Sequence, residues 1–236
     1  MDVIRMCLTG VFMSGCLQLV AQDFQQSIDA TAAGYLQHAS SSATIYYGNE
    51  VEPYPRTTNH PYFKDIQYTE ARLSYNNVIY PDVLLRLDLY REELIALTPD
   101  FRKNLLFPEN VDFAELHGKH FIYFQKDSLQ NCPPSGYYIL LHSGMCTLME
   151  KIAVEVIENI DIDGVQRTFR FSTRYYLFKD GKYHRIKNKN GLLKVLKQQK
   201  KELKKFISTH RLNFKNDAEM FLIHTIKEYE KLTGKE

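Results

Sequence analysis

The sequence predicts an α+β chain that is mainly β, with a meandering antiparallel sheet, either a partial barrel or a sandwich, followed by two C-terminal helices. Three observations carry this expectation. Short runs of aromatic and β-branched residues alternate with polar ones through the middle of the chain, which is how half-buried strands read. Turn signals separate these runs at short intervals with no helical pattern between them, favouring hairpin-joined antiparallel strands over parallel ones. At Lys187 the spacing becomes helical and the composition turns to lysine.

The elements follow in order. Residues 1–21 have the form of a signal peptide: Arg5 begins it, Met6 to Val20 is a mostly apolar run, and Leu19-Val20-Ala21 resembles a small-residue cleavage site before the polar Gln22 and Asp23. The run is short for a membrane span and broken by Thr9, Gly10, Ser14, Gly15 and Gln18. Met13-Ser14-Gly15-Cys16 also resembles a lipobox, in which Cys16 would carry a lipid. Cleavage near Ala21 is the expectation, because Leu17 to Ala21 stays apolar where a lipoprotein turns polar. A buried N-terminal helix of a cytosolic protein is the third alternative. Residues 22–42 read as a flexible lead-in rich in alanine and serine.

Residues 43–186 read as the β domain. Ala43 to Tyr47 forms a short strand, and Pro53, Pro55, Asn59 and Pro61 break the next stretch into a turn-rich connection. Ala71 to Tyr75 and Val78 to Tyr80 flank Asn76-Asn77, a pair tolerant of the positive φ of a tight hairpin. Val83, Leu85, Leu87 and Leu89 alternate with Leu84, Arg86, Asp88 and Tyr90, and Arg91-Glu92 turns the chain into Glu93 to Leu97. Phe121 to Phe124, Tyr137 to Leu141 and Met145 to Ile157 supply further strands. Arg167 to Phe178 pairs with Tyr183 to Ile186 across Asp180-Gly181. Of the four cysteines, Cys132 and Cys146 lie beyond the signal, and in an oxidising compartment such a pair is expected to be bridged.

Residues 187–236 read as a basic helical tail packed on or beside the sheet. From Lys182 to Lys215 twelve lysines and arginines face the single acid Glu202, although the whole chain is only +2. Asn190 is placed to cap a first helix with Leu192, Leu196, Leu203 and Phe206 on one side and lysines around the rest. A second helix is expected from Asn216, with Glu219 completing a capping box, to a stop near Gly234. Leu85 to Leu94, Arg174 to Gly181 and the tail Lys187 to Lys215 together resemble an uncharacterised group of exported cell-envelope proteins of Bacteroidota. That resemblance covers most of the mature chain. It implies export to the periplasm or the outer membrane, a β-rich body and a basic helical tail, and it brings no catalytic residue.

No catalytic, metal or cofactor site is expected. Asn159 to Gly164 resembles the opening of an EF-hand loop, but its twelfth position is Arg170, a cation where an acid is needed, so a hairpin turn is the better reading. Glu115, His117 and His120 lack a metal-site spacing and read as polar residues around the Gly118 turn. His142-Ser143-Gly144 lacks the flanks of a nucleophile elbow and reads as a turn. Asp88, Glu92 and Glu93 suggest paired carboxylates, but Arg86 and Arg91 favour surface ion pairing. The tail is the main recognition feature, with Lys194, Lys197, Lys201, Lys204 and Lys205 as candidate binding residues. Their partner would be an envelope protein or an anionic lipid surface; export argues against nucleic acid. Two function classes remain: a non-enzymatic ligand- or partner-binding module, holding an apolar ligand or a protein, and an envelope hydrolase. A smooth apolar groove would favour the first and a buried cleft with several acids, or an acid with a histidine, the second.

Overall fold

The computed structural model describes residues 54, 56–126, 132–162 and 164–234. The expected signal peptide, the lead-in and the strand at 43–47 lie outside the described residues. The β body is one antiparallel sheet of ten strands: β1 (Thr69–Tyr75), β2 (Val78–Asp88), β3 (Glu93–Leu97), β4 (Lys103–Leu105), β5 (Val111–Leu116), β6 (Lys119–Phe124), β7 (Gly136–Ser143), β8 (Thr147–Asp161), β9 (Gly164–Lys179) and β10 (Lys182–Ile186). Their order across the sheet is β10-β9-β8-β7-β6-β5-β1-β2-β3-β4. The sheet is therefore two meanders, β1 to β4 and β5 to β10, joined where β1 pairs with β5.

Turn chemistry fixes the hairpins. Asn76 and Asn77 have φ of 53° and 60°, and Asp180 and Gly181 have 50° and 72°, the left-handed pair that a two-residue turn between twisted strands requires. His117 and Gly118 repeat the pattern at 47° and 72° between β5 and β6. The Asn159-to-Gly164 stretch is the tip of the β8–β9 hairpin, with Asn159 opposite Gln166.

The sheet is strongly curled. Thr58 donates from its backbone to Arg167 on β9 at 2.9 Å, and five residues later Phe63 donates to Leu87 on β2 at 2.9 Å. On a flat sheet β9 and β2 would stand about 29 Å apart at 4.8 Å per strand, while five residues reach at most about 17 Å. Residues 56–63 thus form a strap across the mouth of an open, barrel-like sheet. A parallel bridge from Thr57 to Arg167 and an antiparallel one from Tyr62 to Asp88 fasten its ends.

Three helices follow: α1 (Lys189–Val195), α2 (Lys200–Thr209) and α3 (Ala218–Thr233). The first expected helix is thus two, broken by a 3-10 turn at Lys197–Gln199. That turn aims Gln198 at α3, where it accepts from the Tyr229 hydroxyl at 2.7 Å. Asn188 rather than Asn190 caps α1, accepting from the Gly191 amide at 2.9 Å. Asp217 rather than Asn216 caps α3, accepting from the Met220 amide at 2.8 Å. Glu219 is drawn away from a capping box by Lys119, whose ammonium reaches both of its oxygens at 2.7 and 2.8 Å. The helices bury Leu192, Leu196, Leu203, Ile207, Phe221 and Ile226 against Leu148, Leu177 and Ile186 of the sheet. Tyr138, Met149 and Tyr176 pack on the opposite face.

Cys132 and Cys146 do not form the expected disulfide. Cys146 points into the helix-covered core, whereas Cys132 lies beside Tyr138 on the other face, so the sheet stands between them. Burial pushes the Cys146 thiol up to about 11. Because the folded value lies above the ordinary thiol range, the stability this neutral thiol contributes is complete below about pH 9 and fades as the pH climbs through about 11. Iodoacetamide at pH 8 is expected to label half-buried Cys132 long before Cys146. Equal labelling rates in the folded protein would contradict that burial.

Candidate functional site

Two features have recognition chemistry: a pair of clefts beside the strap, and the lysine face of the tail. The clefts begin with Asn59, whose side chain donates to the Phe169 carbonyl at 2.9 Å and accepts from the Phe169 amide at 2.8 Å. Asn59 so takes the place of a neighbouring backbone unit along β9. Downstream, Arg86 of β2 lies between two rings, 3.9 Å from the Tyr62 centroid and 4.4 Å from that of Tyr68, while Nη1 donates to the Ile66 carbonyl at 2.8 Å. This cation–π sandwich fixes the strap over the sheet. His60 stacks on Tyr62 with centroids 5.7 Å apart, and its Nδ1 is buried without a hydrogen-bond partner among the described residues.

Tyr54 completes an aromatic cluster, edge-on to Tyr62, Tyr90 and Phe169. Its hydroxyl donates to Asp88 at 2.5 Å, and burial above all raises its pKa far beyond the usual phenol range. Burial likewise raises the Tyr62 and Tyr68 hydroxyls, so all three remain neutral donors. Two clefts of about 340 and 420 Å³ flank the strap and share Asn59, His60 and Tyr62. Phe63, Leu89, Ile152 and Phe171 make the first apolar, with Lys64 at its rim. Neither cleft is lined by a carboxylate among the described residues.

A third, open depression of about 400 Å³ contains Glu70, Asp82, Glu115 and His117. Its acids are solvated rather than desolvated: Glu70 and Asp82 are exposed, and the Glu115 side chain is 40% exposed while meeting Arg72 at 3.6 Å and His120 at 3.5 Å. The turn swings His117 away to Thr69, 3.1 Å from its hydroxyl. The three residues weighed as metal ligands are therefore split, and no metal-ligating group occurs among the described residues.

The other motifs resolve into structural contacts. Asp88 and Glu92 are not surface ion-pairing groups: Asp88 is fully buried and accepts from the Tyr90 and Arg91 amides at 2.9 Å as well as from Tyr54. Arg86 and Arg91 instead stack on tyrosine rings, Arg91 4.2 Å from that of Tyr54. Glu92 reaches across the curled sheet to Lys151 at 2.5 Å and to the Tyr137 amide at 2.7 Å. His142 does not address Ser143; its Nε2 lies 2.8 Å from Glu230 of α3, whose other oxygen accepts from the Cys146 amide at 2.8 Å.

On the tail, Lys194, Lys197, Lys201, Lys204 and Lys205 are all exposed, as are Lys187, Lys189 and Lys200. None of them forms an ion pair among the described residues. The sequence pattern located this face. It missed the clefts, although the density of rings from Tyr54 to Tyr68 in a stretch read as a plain connection was a usable signal. No family model, curated protein or solved structure matches the chain.

Proposed function

We propose that the chain is an exported cell-envelope protein that acts by binding rather than catalysis and holds an apolar ligand beside its strap. One observation carries this reading: the first cleft is walled mainly by Phe63, Leu89, Ile152, Phe171 and Tyr62, the second sets Tyr54, Pro61, Tyr62 and Ile66 beside the polar Thr57, Thr58, Asn59 and His60, and neither is lined by a carboxylate among the described residues. A hydrolase would need desolvated acids or an acid with a histidine lining these clefts; the acids that line a described cleft are the solvated ones around Glu115, and buried Asp88 behind Tyr54 is engaged by the Tyr54 hydroxyl and the Tyr90 and Arg91 amides. Neutral tyrosines and His60 supply orientation, and Phe63, Leu89, Ile152 and Phe171 supply contact area, the usual composition of a small-molecule site.

The neutral dye N-phenyl-1-naphthylamine tests this. The full chain should enhance its fluorescence saturably. Phe171→Asp should weaken binding by at least about tenfold while leaving the fold intact, because one aromatic contact of this kind is worth about 1.5–3 kcal/mol. Binding absent from the native fold, or unchanged by both Phe171→Asp and Ile152→Asp, would remove the clefts as the site.

A further inference from the structure

We infer that the lysine face of α1 and α2 is a docking surface for an anionic lipid membrane, independent of the strap clefts. The helices place the charge and fix it. Leu192, Leu193, Leu196, Leu203 and Ile207 are buried beneath them, each at most 1% exposed. The core therefore dictates which way Lys194, Lys197, Lys201 and Lys204 face, and all four are exposed. Lys201 and Lys204, three residues apart, share one side of α2, and Lys194 of α1 and Lys197 of the intervening turn are exposed beside them in sequence.

Charge separation gives the face a direction. Residues Lys182–Lys215 hold twelve of the thirty basic residues and one of the twenty-eight acids, so the rest of the chain has eighteen against twenty-seven. The segment is therefore +11 in a chain that is +2 as a whole, and a negatively charged plane would attract it above the rest of the chain. Because no lysine of the face is neutralised by an acid among the described residues, all of them are available to an outside anion.

The kind of anion follows from what the face lacks. Nucleic-acid surfaces favour arginine forks and exposed rings for stacking. Here the helices carry only lysine, and Arg185 and Arg211 lie outside them. Phe206 is half-buried against His210, and Phe214 packs on Tyr175 and Phe221. None of the described clefts is formed by the tail, so nothing there cradles a strand. Compact, hydrated ammonium groups suit diffuse attraction to a plane of phosphate head groups. With none of the large exposed apolar side chains on α1 or α2, the association is electrostatic and reversible by salt.

Flotation of the full chain with vesicles tests this. The protein should rise with phosphatidylcholine vesicles containing phosphatidylglycerol, stay behind with pure phosphatidylcholine, and be released by salt. Replacing Lys194, Lys197, Lys201 and Lys204 together by Gln should lower partitioning at least about tenfold, since each such lysine contributes severalfold near an anionic surface. The variant's circular dichroism and thermal midpoint should match the parent, and neutralising Arg102, Lys103, Lys126 and Lys227 instead should leave binding intact. Equal partitioning to both vesicle types, undiminished binding by the folded tail variant, or tighter binding to duplex DNA than to the anionic vesicles at the same ionic strength would each overturn the inference.

Discussion

Lys151→Ala should cost about 3–5 kcal/mol in chemical denaturation, the most damaging of the single changes considered. The Lys151 side chain is 5% exposed and that of Glu92 25%. The ammonium lies 2.5 Å from Glu92, donates to the Tyr137 carbonyl at 3.1 Å and sits 4.8 Å from the Tyr138 ring centroid. Burial raises the Glu92 carboxyl and lowers the Lys151 ammonium, so each charge is tolerated only because the other is there. Removing the lysine strands the carboxylate. Desolvating a charge costs more than the pair gains, so replacing both residues by apolar ones of similar size, Glu92→Leu with Lys151→Met, should recover much of the loss. A double variant no more stable than Lys151→Ala would show that the pair is not the source of the effect. Gly136 belongs to the same contact: its φ is 141°, and a Cβ there would stand 2.3 Å from the ammonium and 2.4 Å from a Glu92 oxygen.

Glu230→Ala should lower stability by about 2–3 kcal/mol, because it leaves a buried amide and an imidazole unpaired. Glu230 lies on α3 at 16% side-chain exposure and accepts from the Cys146 amide and from His142, both at 2.8 Å. Gly144 lets the carboxylate in, since a Cβ there would meet its oxygens at 2.7 and 2.8 Å. This contact ties the last helix to the β7–β8 turn. Its loss should expose the apolar underside of α3 first, so amide exchange at Phe221 and Ile226 should accelerate more than at Leu85. Uniform acceleration, or a cost below about 0.5 kcal/mol, would mean that packing alone holds the helix.

The sequence made some of this legible and hid the rest for physical reasons. Asn76-Asn77 and Asp180-Gly181 revealed their hairpins because a positive φ is a local demand that few residues meet. The lysine face was visible for the same kind of reason, helical spacing being a property of adjacent turns. By contrast, β5 is defined by its neighbours: in Val111–Leu116 both faces are partly covered, and the period-2 signal blurs. Glu150 and Lys151 are consecutive and both buried, because β8 is covered on both faces, Glu150 on the side of Lys119 and Glu219 and Lys151 on the side of Glu92 and Tyr138. The expected Cys132–Cys146 disulfide failed because sequence distance carries no information about which side of a sheet each thiol faces. The single long helix failed at Lys197–Gln199 because its apolar positions fit an unbroken helix as well as a broken one.

The strap has a consequence for motion. Its hold on β9 includes the Thr58 amide and hydroxyl on the Arg167 carbonyl, the Arg167 amide on the Arg56 carbonyl at 3.2 Å, the two Asn59 bonds to Phe169 and a 2.7 Å hydroxyl contact between Thr58 and Thr168. Those of Thr58 are exposed to water, whereas the β8–β9 ladder beside them runs uninterrupted from Thr147 opposite Phe178 to Asp161 opposite Gly164. The clasp therefore has far fewer bonds to break than that ladder, and undoing it leaves the ladder standing. Both clefts share Asn59, His60 and Tyr62, so releasing the strap would alter both together. On the proposed reading, admitting a molecule and fastening the barrel would be one conformational event, with an occupant of either cleft shifting the equilibrium toward the fastened form.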